Sequence, residues 1–239
     1  MNVIRYADDF IVTAASQELL REIGVPVIRA FLAERGLELS AEKTRLVHIE
    51  EGFDFLGFNV RKYRGKLLIQ PAQEKVRAFL RELKELITSH IGRPAAELIR
   101  KLNAKLRGWG HYYRHVVAKP TFGQVDREVA NALWRWARRR HPHTPRQGIH
   151  AKYFRGTGEG RWAFGALHKR RDGTYERVDL FKVASIPIRR QVKIPAAAHP
   201  YDPQYTRYFR RRWAMQHRRR AEDRRHFVAW RLGPMLGAC

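Results

Sequence analysis

The chain has 239 residues, 44% of them hydrophobic, so it can bury a core and is too apolar to be a disordered basic tail. Lysine and arginine number 48 against 23 acidic residues, and the formal charge of +25 favours a polyanionic partner. No stretch is long and apolar enough for a membrane span, and no signal peptide precedes the first charged motif. Nucleic acid is therefore a better interpretation than a membrane surface.

The charge is unevenly distributed along the chain. Residues 1–50 contain six basic and eight acidic side chains, whereas the rest contains 42 basic and 15 acidic ones. This predicts metal chemistry in the first segment and phosphate contact in the second, although a basic protein with merely uneven charge stays an alternative. The only cysteine is Cys239, which excludes an internal disulfide and fits a reducing cytoplasm.

The first elements are a predicted β-hairpin and a helix. Apolar runs on either side of Tyr6–Asp9 predict a hairpin with both carboxylates at or near its turn. Ser16 is expected to cap a helix that continues to Arg35. Pro26 should kink or split this helix, and Gly36 suits its C-terminal end.

Short strands are predicted before residue 71. Leu37–Leu39 and Leu46–Ile49 have the composition of brief strands around a turn. Phe53–Phe58 begins another strand, and Leu67–Ile69 is expected to pair with it across the polar loop Arg61–Lys66. These strands favour the sheet-containing first part of an α+β protein.

Helical periodicity dominates the next 70 residues. It predicts one helix after Pro71, a second from Pro94 towards Val116 and a third over about Phe122–Arg140. Three consecutive amphipathic helices indicate a small bundle. The side chains expected to face inward on the third helix are Val125, Val129, Leu133 and Trp136.

The helical pattern stops at the His-Pro-His-Thr-Pro run over 141–145. Trp162–Phe164 and Val183–Ile194 then predict short strands, with a hairpin turn at Asp172–Gly173. Residues 207–225 contain nine arginines and are expected to form a solvated helix or arm.

Asp8 and Asp9 are the candidate metal ligands. Two acids on a tight turn offer oxygen ligands where Mg²⁺ can bridge protein and phosphate, as nucleotidyl transfer requires. Asp-Asp is also an ordinary turn dipeptide, so the pair by itself leaves both interpretations open.

An ordered series of motifs carries more information than the pair. Arg5–Phe10 resembles the polymerase motif of reverse transcriptases in its group II intron form, and the later motifs continue that resemblance in order to about residue 210. These later motifs are Gly36–Ser40 with Glu42–Thr44, Phe53–Phe58, Leu106–Trp109, Tyr112–Tyr113, Val125–Asp126, Leu133–Trp136, Arg139–Pro142, Lys152–Phe154 and Trp162–Phe164. The resemblance implies an α+β fold in three parts: the end of a polymerase palm over 1–71, a three-helix thumb or maturase bundle over 72–141, and a small basic region with short strands and an arginine-rich tail over 142–239.

The resemblance also implies roles near the N-terminus. In the family, the residue matching Asp8 binds catalytic Mg²⁺ and the one matching Asp9 contributes less. Lys43 matches a lysine that assists the incoming nucleotide, although a solvated lysine beside a glutamate is an equal alternative. Family polymerases have a further metal-binding aspartate and the fingers upstream of this motif. We therefore expect Mg²⁺ binding only if that upstream half is supplied, and no polymerisation by this chain alone.

The implied function is binding of group II intron RNA, in aid of its splicing and mobility, in a bacterial cytoplasm. A DNA target or primer and an upstream reverse-transcriptase fragment are further possible partners. Two alternatives stay open. In the first, the chain is one half of a split RNA-directed DNA polymerase in which Asp8 binds Mg²⁺. In the second, it is a truncated fragment without a function of its own.

Cations and aromatic side chains alternate after residue 74, which is typical of proteins that bind structured RNA. Trp109, Trp136 and Phe79 lie on apolar stripes and are predicted to be in the core. Trp134 lies off the stripe of its helix and is a candidate for RNA contact. The predicted RNA-binding set is Trp134 with Arg107, Arg114, Arg138, Arg139, Arg140, Arg210, Arg211 and Arg212.

Overall fold

The computed structural model describes residues 1–156, 162–170, 172–195 and 197–218. Contacts divide the chain into two compact units, Met1–Arg190 and Gln191–Cys239. Helices and small antiparallel sheets occur together in the first unit, which confirms the α+β class. Within the described residues, no helix is long and apolar enough to cross a membrane. The three-part division at residues 71 and 141 stays a proposal.

The predicted N-terminal hairpin is confirmed. Strands β1 (Asn2–Tyr6) and β2 (Asp9–Thr13) pair antiparallel, with Tyr6 opposite Asp9, so the turn consists of Ala7 and Asp8. Ala7 has a φ of 53°, in the left-handed region that two-residue hairpin turns require. The hairpin therefore places both carboxylates at its tip.

The helix after the hairpin begins as predicted, ends at Ala33, two residues before the predicted Arg35, and is irregular inside. The Ser16 side chain accepts a hydrogen bond from the Leu19 N–H, and Gly36, with a φ of 65°, lies in the turn that follows the helix. Pro26 lacks the N–H of a regular helix, and the irregular stretch lies just before it. The three pieces are α1 (Gln17–Leu19), a π-helical stretch (Leu20–Gly24) and α2 (Val25–Ala33).

Two strand predictions are wrong and a third needs correction. Leu37–Leu39 and Leu46–Ile49 belong to no described strand ladder, although the Ile49 carbonyl accepts a hydrogen bond from the Lys62 N–H at 2.9 Å. Leu56 and Gly57 both have positive φ and form a turn that splits the predicted strand Phe53–Phe58. The predicted loop Arg61–Lys66 is mostly strand. The resulting sheet is β3 (Phe53–Phe55), β4 (Phe58–Tyr63) and β5 (Lys66–Pro71), in that order.

The three predicted helices are confirmed and form the core. They are α3 (Gln73–Ser89), α4 (Ala95–Tyr113) and α5 (Lys119–Arg140). All four predicted inward residues of α5 are buried, as is Phe79 on α3. Trp109 is only partly buried, and its ring stacks on Phe79 at 4.8 Å between ring centres.

A second three-stranded sheet follows the helices. Helix α6 (Arg146–Tyr153) leads into β6 (Phe154–Gly156), β7 (Trp162–Lys169) and β8 (Tyr175–Asp179), which pair in chain order. The predicted turn at Asp172–Gly173 is confirmed, with Gly173 at a φ of 84°.

Residues 180–186, which we call the strap, replace the strand predicted over Val183–Ile194. The buried Asn103 amide holds the start of the strap: it donates to the Asp179 carbonyl at 2.9 Å and accepts from the Phe181 N–H at 2.7 Å. The Asp126 carboxylate accepts two more N–H groups of the strap, at 2.8 and 2.9 Å. These helix side chains satisfy the strap backbone in place of a neighbouring strand, so a short 3₁₀ turn forms there.

The second unit contains a 3₁₀ turn (Pro203–Tyr205) and a helical stretch over 206–218. Arg212 donates to the Val192 carbonyl at 2.7 Å and ties this helix to the segment before it. The predicted arginine-rich helix is thus confirmed as far as residue 218. Residues 219–225 of that prediction lie outside the described residues.

Candidate nucleic-acid interface

The hairpin tip supplies two exposed carboxylates, Asp8 and Asp9. Arg5 donates to the Ala7 carbonyl at 2.7 Å and braces the turn formed by Ala7 and Asp8. Among the described residues, no group of three or more histidine, cysteine or acidic side chains could hold a metal ion. A two-metal phosphoryl-transfer site needs more acidic ligands than this pair provides. The carboxylates present therefore do not fit a complete catalytic Mg²⁺ site.

Asp9 also lines a cleft of about 490 Å³ beside the turn between β3 and β4. Tyr113 donates to the Gly57 carbonyl at 3.1 Å, and Tyr112 donates to the Leu56 carbonyl at 3.3 Å. Burial raises the pKa of Tyr113, so its hydroxyl stays protonated as a donor. Helix α4 in this way holds the β3–β4 turn beside the hairpin tip.

Lys43 does not join this arrangement. It lies in an exposed turn over 41–43, and the described cleft is lined by Lys75 instead. The structure brings Asp9 to the cleft but not Lys43, and the nucleotide-assisting role of Lys43 stays a prediction.

The solvent face of α5 carries four exposed arginines, which we call the α5 arginine face: Arg127, Arg135, Arg138 and Arg139. Within the described part of the chain, none of the four has a carboxylate within 4.0 Å. Cations without such partners are available for phosphate. Sequence reasoning named Arg138 and Arg139 but missed Arg127 and Arg135. The spacing of four residues from Arg127 through Asn131 to Arg135 was the signal that could have found them.

Arg140 points elsewhere. It donates to the carbonyls of Ile91 and Arg93, and its guanidinium lies 5.2 Å from the centre of the Trp136 ring. These contacts tie the loop between α3 and α4 to the end of α5. An RNA role for Arg140 stays a prediction that the α5 arginine face does not need.

The other predicted cations are in separate places. Arg107 is half-buried over the Phe181 ring at 4.7 Å, and burial lowers its pKa. Arg114 is half-buried, and its carbonyl accepts from the Arg189 N–H at 2.8 Å. Arg210 and Arg211 are exposed on the helix of the second unit, which also carries Arg212. Their RNA contacts stay predictions.

Trp134 lies beside the α5 arginine face and is half-buried. Its ring meets the Phe154 ring at 5.7 Å and an angle of 63°, and Phe154 in turn stacks on His150 at 5.4 Å and 16°. One side of the indole is therefore packed, while the rest remains accessible.

Comparison with protein families matches two successive segments of the chain. Residues 1–60 match the reverse transcriptase (RNA-dependent DNA polymerase) family. Residues 76–154 match the group II intron maturase-specific domain. The chain belongs to the group II intron reverse transcriptases/maturases. No curated protein matches it in a separate search.

The two matched segments contain the two regions described above. The reverse-transcriptase match contains the carboxylate hairpin, and the maturase-specific match contains α4, α5 and α6. The order of the segments is that of the C-terminal part of such a protein, with a maturase-related function. Reverse-transcriptase domains generally use Mg²⁺, and a maturase-specific domain implies group II intron RNA as a partner.

Proposed function

We propose that this polypeptide is the RNA-binding maturase part of a group II intron reverse transcriptase and holds intron RNA in a form that splices and moves. The observation that carries the proposal is the α5 arginine face, which lies inside the matched maturase domain. Its four cations have no carboxylate within 4.0 Å in the described ranges and stand on a helix with a well-packed core. Phosphate contacts made from a rigid element cost little ordering entropy.

The test is affinity for a structured group II intron RNA against a size-matched unrelated RNA, measured across a salt series. Binding that still prefers the intron at high salt supports the proposal, because shape and base contacts persist when phosphate attraction is screened. Equal affinity for both RNAs that falls steeply as the salt concentration rises would mean that the chain binds RNA only through non-specific positive charge. That outcome would contradict the proposal and favour the truncated-fragment alternative.

We infer further that residues 1–239 do not extend a primer by themselves. The hairpin offers two carboxylates, and no larger acidic cluster occurs in the described part of the chain. Template–primer extension with Mg²⁺ and dNTPs should give no product from the purified polypeptide. Template-dependent product would contradict this inference.

A second candidate is one half of a split RNA-directed DNA polymerase, with DNA target or primer as an added partner. Two observations favour it: Asp9 lines the cleft, and the apolar side chains of Ile23 in the π-helical stretch and of Val27 and Phe31 in α2 are exposed. Co-purification with an upstream fingers and palm fragment should then restore primer extension, and Asp8→Ala should abolish it. The same substitution should leave RNA binding unchanged. The single cysteine is compatible with a bacterial cytoplasm as the place of either function.

A further inference from the structure

The surface of α5 contains a stripe in which an aromatic ring lies among polar and cationic side chains. A helix turns by about 100° per residue, so Arg127, Asn131 and Arg138 all lie within about 60° of Trp134 around the axis of α5. The stripe runs for roughly 16 Å along the helix. Arg127, Asn131 and Arg138 are exposed, and in the described ranges neither arginine has a carboxylate within 4.0 Å.

The indole in this stripe is held from one side. Phe154 packs against Trp134 at 5.7 Å, while Phe154 itself lies between the rings of His150 at 5.4 Å and Phe164 at 5.3 Å. Phe164 belongs to the buried core. Trp134 is thus anchored through a chain of aromatic contacts, and an aromatic ring fixed in this way loses little entropy when another ring stacks on it.

We propose that this stripe binds one unpaired RNA base, which stacks on Trp134 while Arg127 and Arg138 contact the phosphates on either side of it. The proposal rests on the proposed function and names the kind of RNA feature that the maturase domain recognises. Asn131 has an amide that can donate to and accept from the edge of the base. Bases inside a duplex are stacked on both faces by their neighbours, so only a loop, bulge or strand end can reach the indole.

The charge of the site selects RNA over an apolar partner. Trp134 is a single half-buried ring bordered by two cations that have no carboxylate within 4.0 Å in the described part of the chain. A protein partner would need a wider apolar area, whereas a nucleotide needs one flat ring and adjacent positive charge.

The experiment compares two synthetic RNAs with equal numbers of phosphates: a hairpin with a six-nucleotide unpaired loop and a blunt duplex. The wild-type chain should bind the looped RNA more tightly than the duplex. Trp134→Leu should lower the affinity for the looped RNA by about tenfold or more, the range for loss of one base–aromatic stack. Duplex affinity should change less than about twofold. Arg139→Ala is the matched control, because Arg139 lies about 140° around the helix from Trp134. Arg139→Ala should lower the affinity for both RNAs to the same extent.

Trp134 also packs on Phe154, so thermal melting of Trp134→Leu must be measured beside binding. Asn131→Ala is the second variant. It replaces an exposed side chain, and it too should reduce the preference for the loop. If both variants keep the wild-type ratio of loop to duplex affinity, or if the wild type shows no such preference, the base-stacking proposal is overturned while RNA binding by the domain stands. If the chain binds neither RNA, the proposed function itself fails.

Discussion

Two helices of this chain carry similar apolar stripes and meet different environments. On α5, Phe122 and Val125 are each 0% exposed, whereas on α2 Phe31 is 53% and Val27 61% exposed. Helix α5 packs on α3, and the strap crosses it, whereas on α2 the Phe31 ring meets the Arg35 guanidinium, 3.7 Å from the ring centre, and stays largely exposed. Periodicity thus identifies the face of a helix that is suited to burial, but it does not reveal whether a partner layer is present.

The largest expected effect comes from making the same change in both regions. Phe122→Ala removes a fully buried ring and should lower the free energy of unfolding by about 3–5 kcal/mol. Phe31→Ala removes an exposed ring and should cost less than about 1 kcal/mol. Urea denaturation followed by circular dichroism measures both. Similar losses in the two variants would mean that the α2 face is covered in solution.

A second comparison uses two glycines of α4. A Cβ at Gly110 would lie 2.4 Å from Ile186 Cδ1 and 2.8 Å from Val183 Cγ1, so Gly110→Ala should displace the strap and cost about 1–3 kcal/mol. A Cβ at Gly108 meets nothing within 4 Å. Gly108→Ala should therefore stabilise the helix by about 0.5–1 kcal/mol. Urea denaturation measures both variants. Midpoints of unfolding that shift in the same direction for the two variants would contradict the close approach of the strap to Gly110.

The anchoring of the strap by Asp126 gives a smaller effect. Asp126→Asn retains the shape of the side chain but replaces one acceptor oxygen with an N–H₂ group facing a backbone donor. The expected loss at pH 7 is about 1–2 kcal/mol. Hydrogen exchange should become faster at the Val183 and Ala184 amides, which donate to this carboxylate. Unchanged exchange at both amides would mean that the carboxylate does not hold the strap.

The smallest effect is a pH dependence at the end of α5. Burial, with help from Lys152 and Arg140, lowers the pKa of His141 below its ordinary value of 6.5. The unfolded chain therefore takes up a proton before the folded one does, and stability that is fully present above pH 6.5 is lost as the pH falls through and below that value.

His141→Gln should make the melting temperature less sensitive to pH between about 7.5 and 5.5 than it is in the wild type. His143 is exposed two residues away and provides the control. His143→Gln should retain the wild-type dependence. If the melting temperature changes equally with pH in the wild type and in His141→Gln, this would count against a neutral His141 in the folded state.

Local signals predicted the first hairpin, the Ser16 cap and the three core helices, because turn chemistry, capping and helical spacing are properties of neighbouring residues. The strap could not be predicted in this way. Val183–Ile194 has apolar residues typical of a strand, but the N–H groups of Val183 and Ala184 donate to the Asp126 carboxylate, which lies more than 50 residues away in sequence. The brief strands predicted over Leu37–Leu39 and Leu46–Ile49 form no ladder in the described residues, and the hydrogen bond from the Lys62 N–H to the Ile49 carbonyl does not extend into one.

The candidate site was predicted unevenly for related reasons. The carboxylate hairpin is a contiguous motif, so its residues were found together. The run Arg138–Arg140 gave no indication that Arg140 turns towards the carbonyls of Ile91 and Arg93 while its neighbours stay exposed. Arg127 escaped notice because its relation to Trp134 depends on helical spacing rather than on adjacency.

The most direct test of the central claim compares the two regions in one assay: affinity of the full chain for a structured group II intron RNA at physiological salt. Asp8→Ala with Asp9→Ala should leave affinity within about twofold of the wild type or improve it slightly, because two negative charges are removed from the first region. Arg127→Ala with Arg138→Ala should weaken binding by about tenfold or more and make the salt dependence shallower. Loss of binding in the aspartate variant, with retention in the arginine variant, would contradict the account.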